Sequence, residues 1–392
     1  MTRAEEPDEL IRSPVRVSVR SASWGLAALG GGAAVVALLA DRSAATSAAS
    51  QVWSPFVLVA GLLLVGLAAD QDGLFASIGY RLAVLAPNGI VLFAGAAVTT
   101  AVVTAVLNLD TSVVFLTPVL VYAARSRGEG EEALLIGCLL LSNAASLLLP
   151  GSNLTNLIVL GHLHLSGGQF FGHMVLPWIA SVLITGGVIV VVERRSLKAA
   201  PVTEDEPRRV TPGLGVWAVA AVTVLVLVLR APAVPVAVVG VLVSAVRMGS
   251  RREELSRVRQ VLGVPVLFGL FGIAMALGTV GRAWSGPADL MSHLDAVGTA
   301  AVAAAATVVV NNLPAAALLA ARVPPHPYAL LVGLNVGPNL FVTGSLAWIL
   351  WARTARATGS TPPIARTVLL GLVTVPLSMA AALAMLAVTG SL

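Results

Sequence analysis

Asp110 stands inside an apolar run that extends from Asn88 to Ala124, with Asn108 before it and Thr111 after it. A carboxyl group at that depth in a bilayer is costly, and groups so placed usually carry a proton or an ion. The plainer alternative is that Asp110 only caps the helix that follows, a task Asp performs well. A second polar cluster comes next: Ser142-Asn143-Ala-Ala-Ser-Leu-Leu-Leu-Pro150-Gly151-Ser152-Asn153-Leu-Thr155-Asn156. Both features then recur. Thr307-Val-Val-Val-Asn311-Asn312-Leu-Pro314 is followed by Gly333-Leu-Asn335-Val-Gly337-Pro338-Asn339-Leu-Phe-Val-Thr343-Gly344-Ser345. Asn, Ser and Thr side chains can donate and accept hydrogen bonds. A helix interrupted at such residues frees carbonyls for a cation and N–H groups for an anion. Polar helix breakers within membrane-length segments are tolerated where they line a cavity. Interrupted segments at matching places in two halves point to the binding site of a transporter.

These groups need a membrane-embedded frame, and the composition supplies one. With 57% hydrophobic and 11% charged residues, the chain falls outside the ordinary soluble class. Apolar runs lie at 24–40, 53–69, 88–107, 112–124, 133–160, 173–192, 214–229, 233–246, 261–280, 297–320, 328–350 and 367–389. A full span needs roughly 20 residues, and 112–124 is too short. Residues 88–124 therefore read as a re-entrant hairpin turning at Asn108–Thr111, and 297–321 as its counterpart turning at Asn311–Pro314. Segments 133–160 and 328–350 read as broken helices. The fold class expected is an all-α polytopic membrane protein of two inverted repeats. Each repeat carries a re-entrant hairpin and a discontinuous transmembrane helix. A cytoplasmic tail (1–23) precedes the first repeat (24–192), and a charged, Pro-containing linker (193–213) precedes the second (214–392). Asp70 to Pro87 and Ser250 to Gln260 read as interfacial amphipathic segments. Trp24 to Ala40 reads as a retained first span rather than a cleaved signal.

Charge sets the orientation. With both hairpins re-entrant and the N-terminus inside, only Arg42, Arg230, Arg282 and Arg322 of the 24 basic residues fall outside. The positive-inside rule favours that arrangement in the plasma (inner) membrane. The net charge of +5 thus reflects a basic cytoplasmic face and not a nucleic-acid partner. The single Cys138 excludes an internal disulfide and any multi-thiolate metal site.

The motifs at Asn143–Asn156, Asn311–Ala315 and Gly333–Ala347 resemble those of the arsenite efflux permease (ArsB) family. That family belongs to the ion transporter superfamily, with NhaD-type sodium/proton antiporters and dicarboxylate carriers. The resemblance covers most of the chain from about Asn88 onward, and the second-half motif is the more specific. It implies that substrate and coupling ion sit between two hairpin tips and two unwound breaks. The tips would be Asn108–Thr111 and Asn311–Pro314, and the breaks Pro150–Asn153 and Thr343–Ser345. Aligned on Leu116-Thr117-Pro118, the permeases carry Asn-Asp-Gly where this chain has Leu109-Asp110-Thr111. The substrate residues implied are Asn143, Ser152, Asn153, Asn311, Asn312, Asn335, Asn339, Thr343, Gly344 and Ser345. The coupling ion, a proton or sodium, falls to Asn108, Asp110, Thr111 and Gly151. Arsenite and antimonite at neutral pH are mostly uncharged trihydroxides, suited to amide and hydroxyl groups. A sodium/proton antiporter or a sodium-coupled carboxylate carrier is the alternative. A carboxylate carrier calls for cationic or strongly N–H-donating groups, and no Lys or Arg lies in any of the four motifs.

Enzymatic readings find no support. Asp110 has no partner acid in the membrane, there is no His-Glu-x-x-His, and no cofactor is called for. There is no Gly-x-x-x-x-Gly-Lys motif, so ATP drive would come from a separate cytoplasmic subunit. A second copy of the chain is the other macromolecular partner open to such a transporter. His162, His164 and His173 read as loop residues rather than a metal site. Gly30-Gly31-Gly32 reads as helix packing.

Overall fold

The computed structural model describes residues 14–128, 130–161, 163, 165–197, 213–229, 231–248 and 252–392. Residues 198–212 of the expected linker, Arg230, His162 and His164 lie outside them. The described chain is helical. The first half comprises α1 (Pro14–Ala40), α2 (Arg42–Gln71), α3 (Leu74–Leu85), α4 (Gly89–Leu107), α5 (Leu109–Arg125), α6 (Glu132–Ala145), α7 (Leu154–Leu160) and α8 (Gly167–Glu193). The second half comprises α9 (Leu214–Val228), α10 (Ala233–Met248), α11 (Arg252–Leu262), α12 (Val264–Ala283), α13 (Gly286–Ser292), α14 (Ala296–Val310), α15 (Asn312–Leu319), α16 (Pro327–Val336), α17 (Leu346–Ala357) and α18 (Ile364–Val388). Among the described residues, six helices are long and apolar enough to cross a membrane. The first of them spans Ser23–Ala40, one residue from the start read in the sequence, within a helix that begins at Pro14.

Two hairpins interrupt this frame, α4–α5 and α14–α15, and each turns on one Asn. Asn108 ends α4 and begins α5 at φ 90°, and its side chain accepts from Thr111 N at 2.9 Å. Asn311 ends α14 and begins α15 at φ 76°, and accepts from Leu313 N at 3.3 Å. These are the two non-glycine residues with positive φ among the described residues. With ψ of 164° and 151° both lie in a region that non-glycine residues rarely adopt, and the local bond of each Asn side chain helps to hold it there. One residue thus reverses the chain and caps the next helix.

Contacts at the helix ends fix the two faces. Arg125 at the end of α5 pairs with Glu131 and donates to Thr358 O at 2.8 Å. Arg366 at the start of α18 donates to Glu193 at the end of α8 at 2.6 Å. Asp72 closes α2, pairs with Arg247 of α10 and accepts from Gly215 N at 2.8 Å, so it caps α9 from outside that helix. The first hairpin therefore opens on a face rich in Arg. On the opposite face, Gln51 near the start of α2 donates to Ile158 O at 3.2 Å and Ala320 O at 2.9 Å, and Arg282 donates to Gln51. The second hairpin opens there. Opposed hairpins are the mark of an inverted repeat. Within the two segments read as interfacial, 70–87 and 250–260, the chain forms α3 and α11, and residues 250 and 251 lie outside the described residues.

The outer helices cross between repeats. α1 packs on α12, and α10 packs on α2. Gly30 lies so close to α12 that a Cβ would meet Gly269 O at 2.0 Å, and at Gly61 one would meet the α10 backbone at 2.7 Å. Such small-residue seams let helix backbones approach where no hydrophobic force separates protein from lipid. Gly30 thus has the packing role read from the sequence. Gly32 faces open space.

Candidate functional site

Each hairpin packs against the distal half of the other repeat's broken helix. Leu109 and Val113 of α5 cluster with Ala347 and Trp348 of α17. Leu313 of α15 shares a cluster with Leu154 and Ile158 of α7. The two breaks are joined directly by amides. Asn335 Oδ1 accepts from Ser146 Oγ at 2.6 Å and Asn153 Nδ2 at 2.7 Å, while its Nδ2 donates to Asn156 Oδ1 at 2.8 Å and Leu331 O at 2.8 Å. Asn339 Nδ2 donates to Leu140 O at 2.9 Å. All of these side chains are buried. A buried polar network of this kind is costly unless satisfied and rigid when it is.

The first break is wider than Pro150–Asn153. It runs from Ser146 through a 3-10 turn at Pro150–Ser152 to Asn153, whose side chain accepts from Thr155 N at 3.2 Å. Asn156 Nδ2 satisfies two freed carbonyls, Ser146 O at 2.8 Å and Leu149 O at 3.1 Å. Ser152 is spent locally, bonded both ways to Leu149. Gly151 faces Val226 of α9, where a Cβ would lie 3.0 Å from Cγ1. The second break also begins earlier than Thr343, at the 3-10 turn Gly337–Leu340. Trp348 Nε1 closes on the freed Pro338 O at 2.9 Å. Ser345 caps α17 by position but makes no side-chain bond to it.

At the first tip Asp110 is buried in the first turn of α5. The cap is Asn108, so the capping role considered for Asp110 is already filled. Several buried polar atoms have no hydrogen-bond partner in the protein: Asp110 Oδ1, Asn108 Nδ2, Thr111 Oγ1, Asn143 Oδ1, Asn339 Oδ1 and Ser345 Oγ. Buried polar atoms are normally paired; Thr155 Oγ1 in the first break is unpartnered too, and so are single atoms of Thr100, Ser181, Arg247, Thr299, His326 and Trp351 away from the tips and breaks, so about half of the unpartnered atoms gather there. Below the tip, Thr104, Ser112 and Ser142 form a hydroxyl chain with links of 2.8 and 3.1 Å that ends on Cys138 O at 2.5 Å.

The second tip is tied down instead. Asn312 N donates to Gly344 O at 2.9 Å, Asn311 Nδ2 to Thr343 O at 3.2 Å, and Thr343 Oγ1 to Val308 O at 2.5 Å. Thr343 is exposed and Asn311 is partly so. Of the residues singled out from the sequence, Asn153, Asn335 and Asn339 lie in or beside the seam, and Asn108, Asp110 and Thr111 share the first tip. Asn143 bonds only within its own helix, to Leu139 O at 3.3 Å. Ser146 and Asn156 were missed. Their signal was spacing, since Asn156 follows Asn153 by one helical turn and so shares its face. His173 lies within α8, bonded to Ser391 Oγ at 2.8 Å and stacked on Tyr328. No cluster of three His, Cys, Asp or Glu able to hold a metal occurs among the described residues.

Comparison with known proteins accords with this architecture. The family model described as a citrate transporter (CitMHS) matches residues 17–352. The chain is similar to the solved structure of the Alcanivorax borkumensis YdaH transporter, described as having an unusual topology. The two share 16% identity, with 89% of this chain and 88% of that one covered and a TM-score of 0.51. At that identity the likeness is one of fold.

Proposed function

The chain belongs to the citrate transporter family and is a secondary transporter of that type rather than an enzyme, and from this premise we propose that it drives proton-coupled efflux of arsenite and antimonite by alternating access. The observation that supports this substrate is the set of unpartnered amide, hydroxyl and carboxyl atoms on Asn108, Asp110, Thr111, Asn143, Asn339 and Ser345, with no Lys or Arg among the tip and break residues. An uncharged trihydroxide matches such groups in both senses of hydrogen bonding and needs no counter-charge. Asp110 is the one carboxyl group at the tips and breaks and is the proton carrier in this reading. The Arg-rich face is taken as cytoplasmic in the plasma membrane. A cysteine at Arg356 in a Cys138→Ser background should then resist impermeant thiol reagents in intact cells, and ready labelling overturns the orientation.

A second reading follows from the family's description: sodium-coupled transport of a carboxylate. The N-terminus of α17, which has no side-chain cap, could supply N–H groups to such an anion. Inverted vesicles separate the two. Arsenite uptake driven by an imposed pH gradient supports efflux. Sodium-dependent citrate or succinate flux, with no arsenite flux, replaces it with the carboxylate reading.

A further inference from the structure

We propose that the Arg-rich face carries a binding site for a phosphate-bearing anion, of the kind found in the headgroups of acidic phospholipids. The site is a cavity of about 530 Å³ between the end of α8, the start of α18 and the start of α6. It is far along the chain from both hairpin tips and uses none of their residues. Its floor is ordered: Glu193 is buried, and its carboxylate accepts from Arg366 Nε at 2.6 Å and Ser196 Oγ at 3.2 Å. Glu132 lies 3.5 Å from the same nitrogen. Arg366 therefore pairs with both carboxylates and offsets one of their two charges.

Arg194 and Arg195 line the same cavity, are exposed, and have no carboxylate partner among the described residues. Among the described residues the lining sums to a net charge of +1, with two free positive charges on Arg194 and Arg195 above a floor whose two carboxylates outnumber Arg366 by one. A guanidinium fork matches a phosphate geometrically and electrostatically. The last turn of α8 gives the cavity its membrane side, since Val191 and Val192 are 67% and 48% exposed. Cation and apolar surface thus adjoin at one helix end, as a phospholipid's headgroup and acyl chains require. Basic pockets between helices at a membrane face bind such headgroups.

The test compares the full-length protein with an Arg194→Gln/Arg195→Gln variant and an Arg353→Gln/Arg356→Gln control, which removes two exposed arginines from the same face. Each is placed in nanodiscs of mixed phosphatidylcholine and phosphatidylglycerol, and lipid retained on release is measured by native mass spectrometry. Selective retention of phosphatidylglycerol should fall on the order of tenfold in the first variant and persist in the control. In lipid-free detergent, inorganic phosphate is added and thermal unfolding followed. Stabilisation of the parent but not of the first variant, without selective lipid retention, assigns the site to soluble phosphate instead. Equal retention in parent, variant and control, with no phosphate effect, overturns the site. So does an equal loss in both variants, which would make the attraction a property of the whole face.

Discussion

The two hairpin tips share a backbone and differ in what they hold. Asn108 and Asn311 reverse the chain at the same place with nearly the same torsions and cap the leg that follows. Beyond them the sequences part. The first tip continues with Asp110 and Thr111, both buried and each with an oxygen unpartnered in the protein. The second continues with Asn312-Leu313-Pro314 and is fastened to its own break by three hydrogen bonds through Gly344, Thr343 and Val308. A duplicated frame has kept its hinge geometry and divided the labour. One tip leaves polar atoms unpartnered, and the other is bonded to its break.

The sharpest way to break that division is Asp110→Asn. It keeps shape and removes the titratable group, while the cap on Asn108 is untouched. Uphill, pH-driven flux should fall by about two orders of magnitude, an effect typical of removing a group that must change protonation. Folding and substrate binding should persist. Full flux in inverted vesicles would remove the proton-carrier role and erase the proposed difference between the tips.

Asn335→Ala tests the seam that both halves share. It leaves Asn156 Oδ1 without its partner and Asn153 Nδ2 with only the 3.3 Å bond to Ser146 Oγ, and an unpaired buried polar atom costs about 1–3 kcal/mol. A marked drop in the thermal unfolding temperature, together with lost transport, is the expected outcome. An unchanged unfolding temperature would mean that the halves are not joined through this amide.

Thr343→Val probes the bonded tip alone. It keeps volume and removes the bond to Val308 O, a loss of about 1 kcal/mol. Transport should continue with altered apparent substrate affinity, read from concentration dependence. Identical kinetics would show that the second tip is held by packing only.

Cys138→Ser should do least. The thiol is buried on α6 and its side-chain partner is Thr117 Oγ1 at 3.6 Å. One thiolate cannot build a three-coordinate arsenic site. Loss of transport with normal expression would place the first half's reactive group at Cys138 rather than Asp110.

Much of this frame was legible in the residues. Asn, Pro and Gly within apolar runs declare the hairpins and breaks, because a chain in lipid cannot otherwise leave its backbone unsatisfied. The leg after Asn108 showed as too short to span. The Asn108 cap was not legible, because Asn and Asp are equally good caps two residues apart and positive φ at an Asn leaves little trace in sequence. The extent of the breaks also escaped. Unwinding to Ser146 depends on Asn156 taking up freed carbonyls, and in the second half on Trp348 reaching Pro338 O. The Asn335 seam was out of reach for a related reason. An amide in a motif announces a need for partners, and only the fold chooses them.

The glycine seams between α1 and α12 and between α10 and α2 bear on how the chain is born. The ribosome delivers the first half with α2 complete and its groove at Gly61 unfilled, because the helix that fits it belongs to the second half. Neither half owns a finished wall. Synthesis halted at the join therefore leaves an open seam at Gly61 that the second half would have filled.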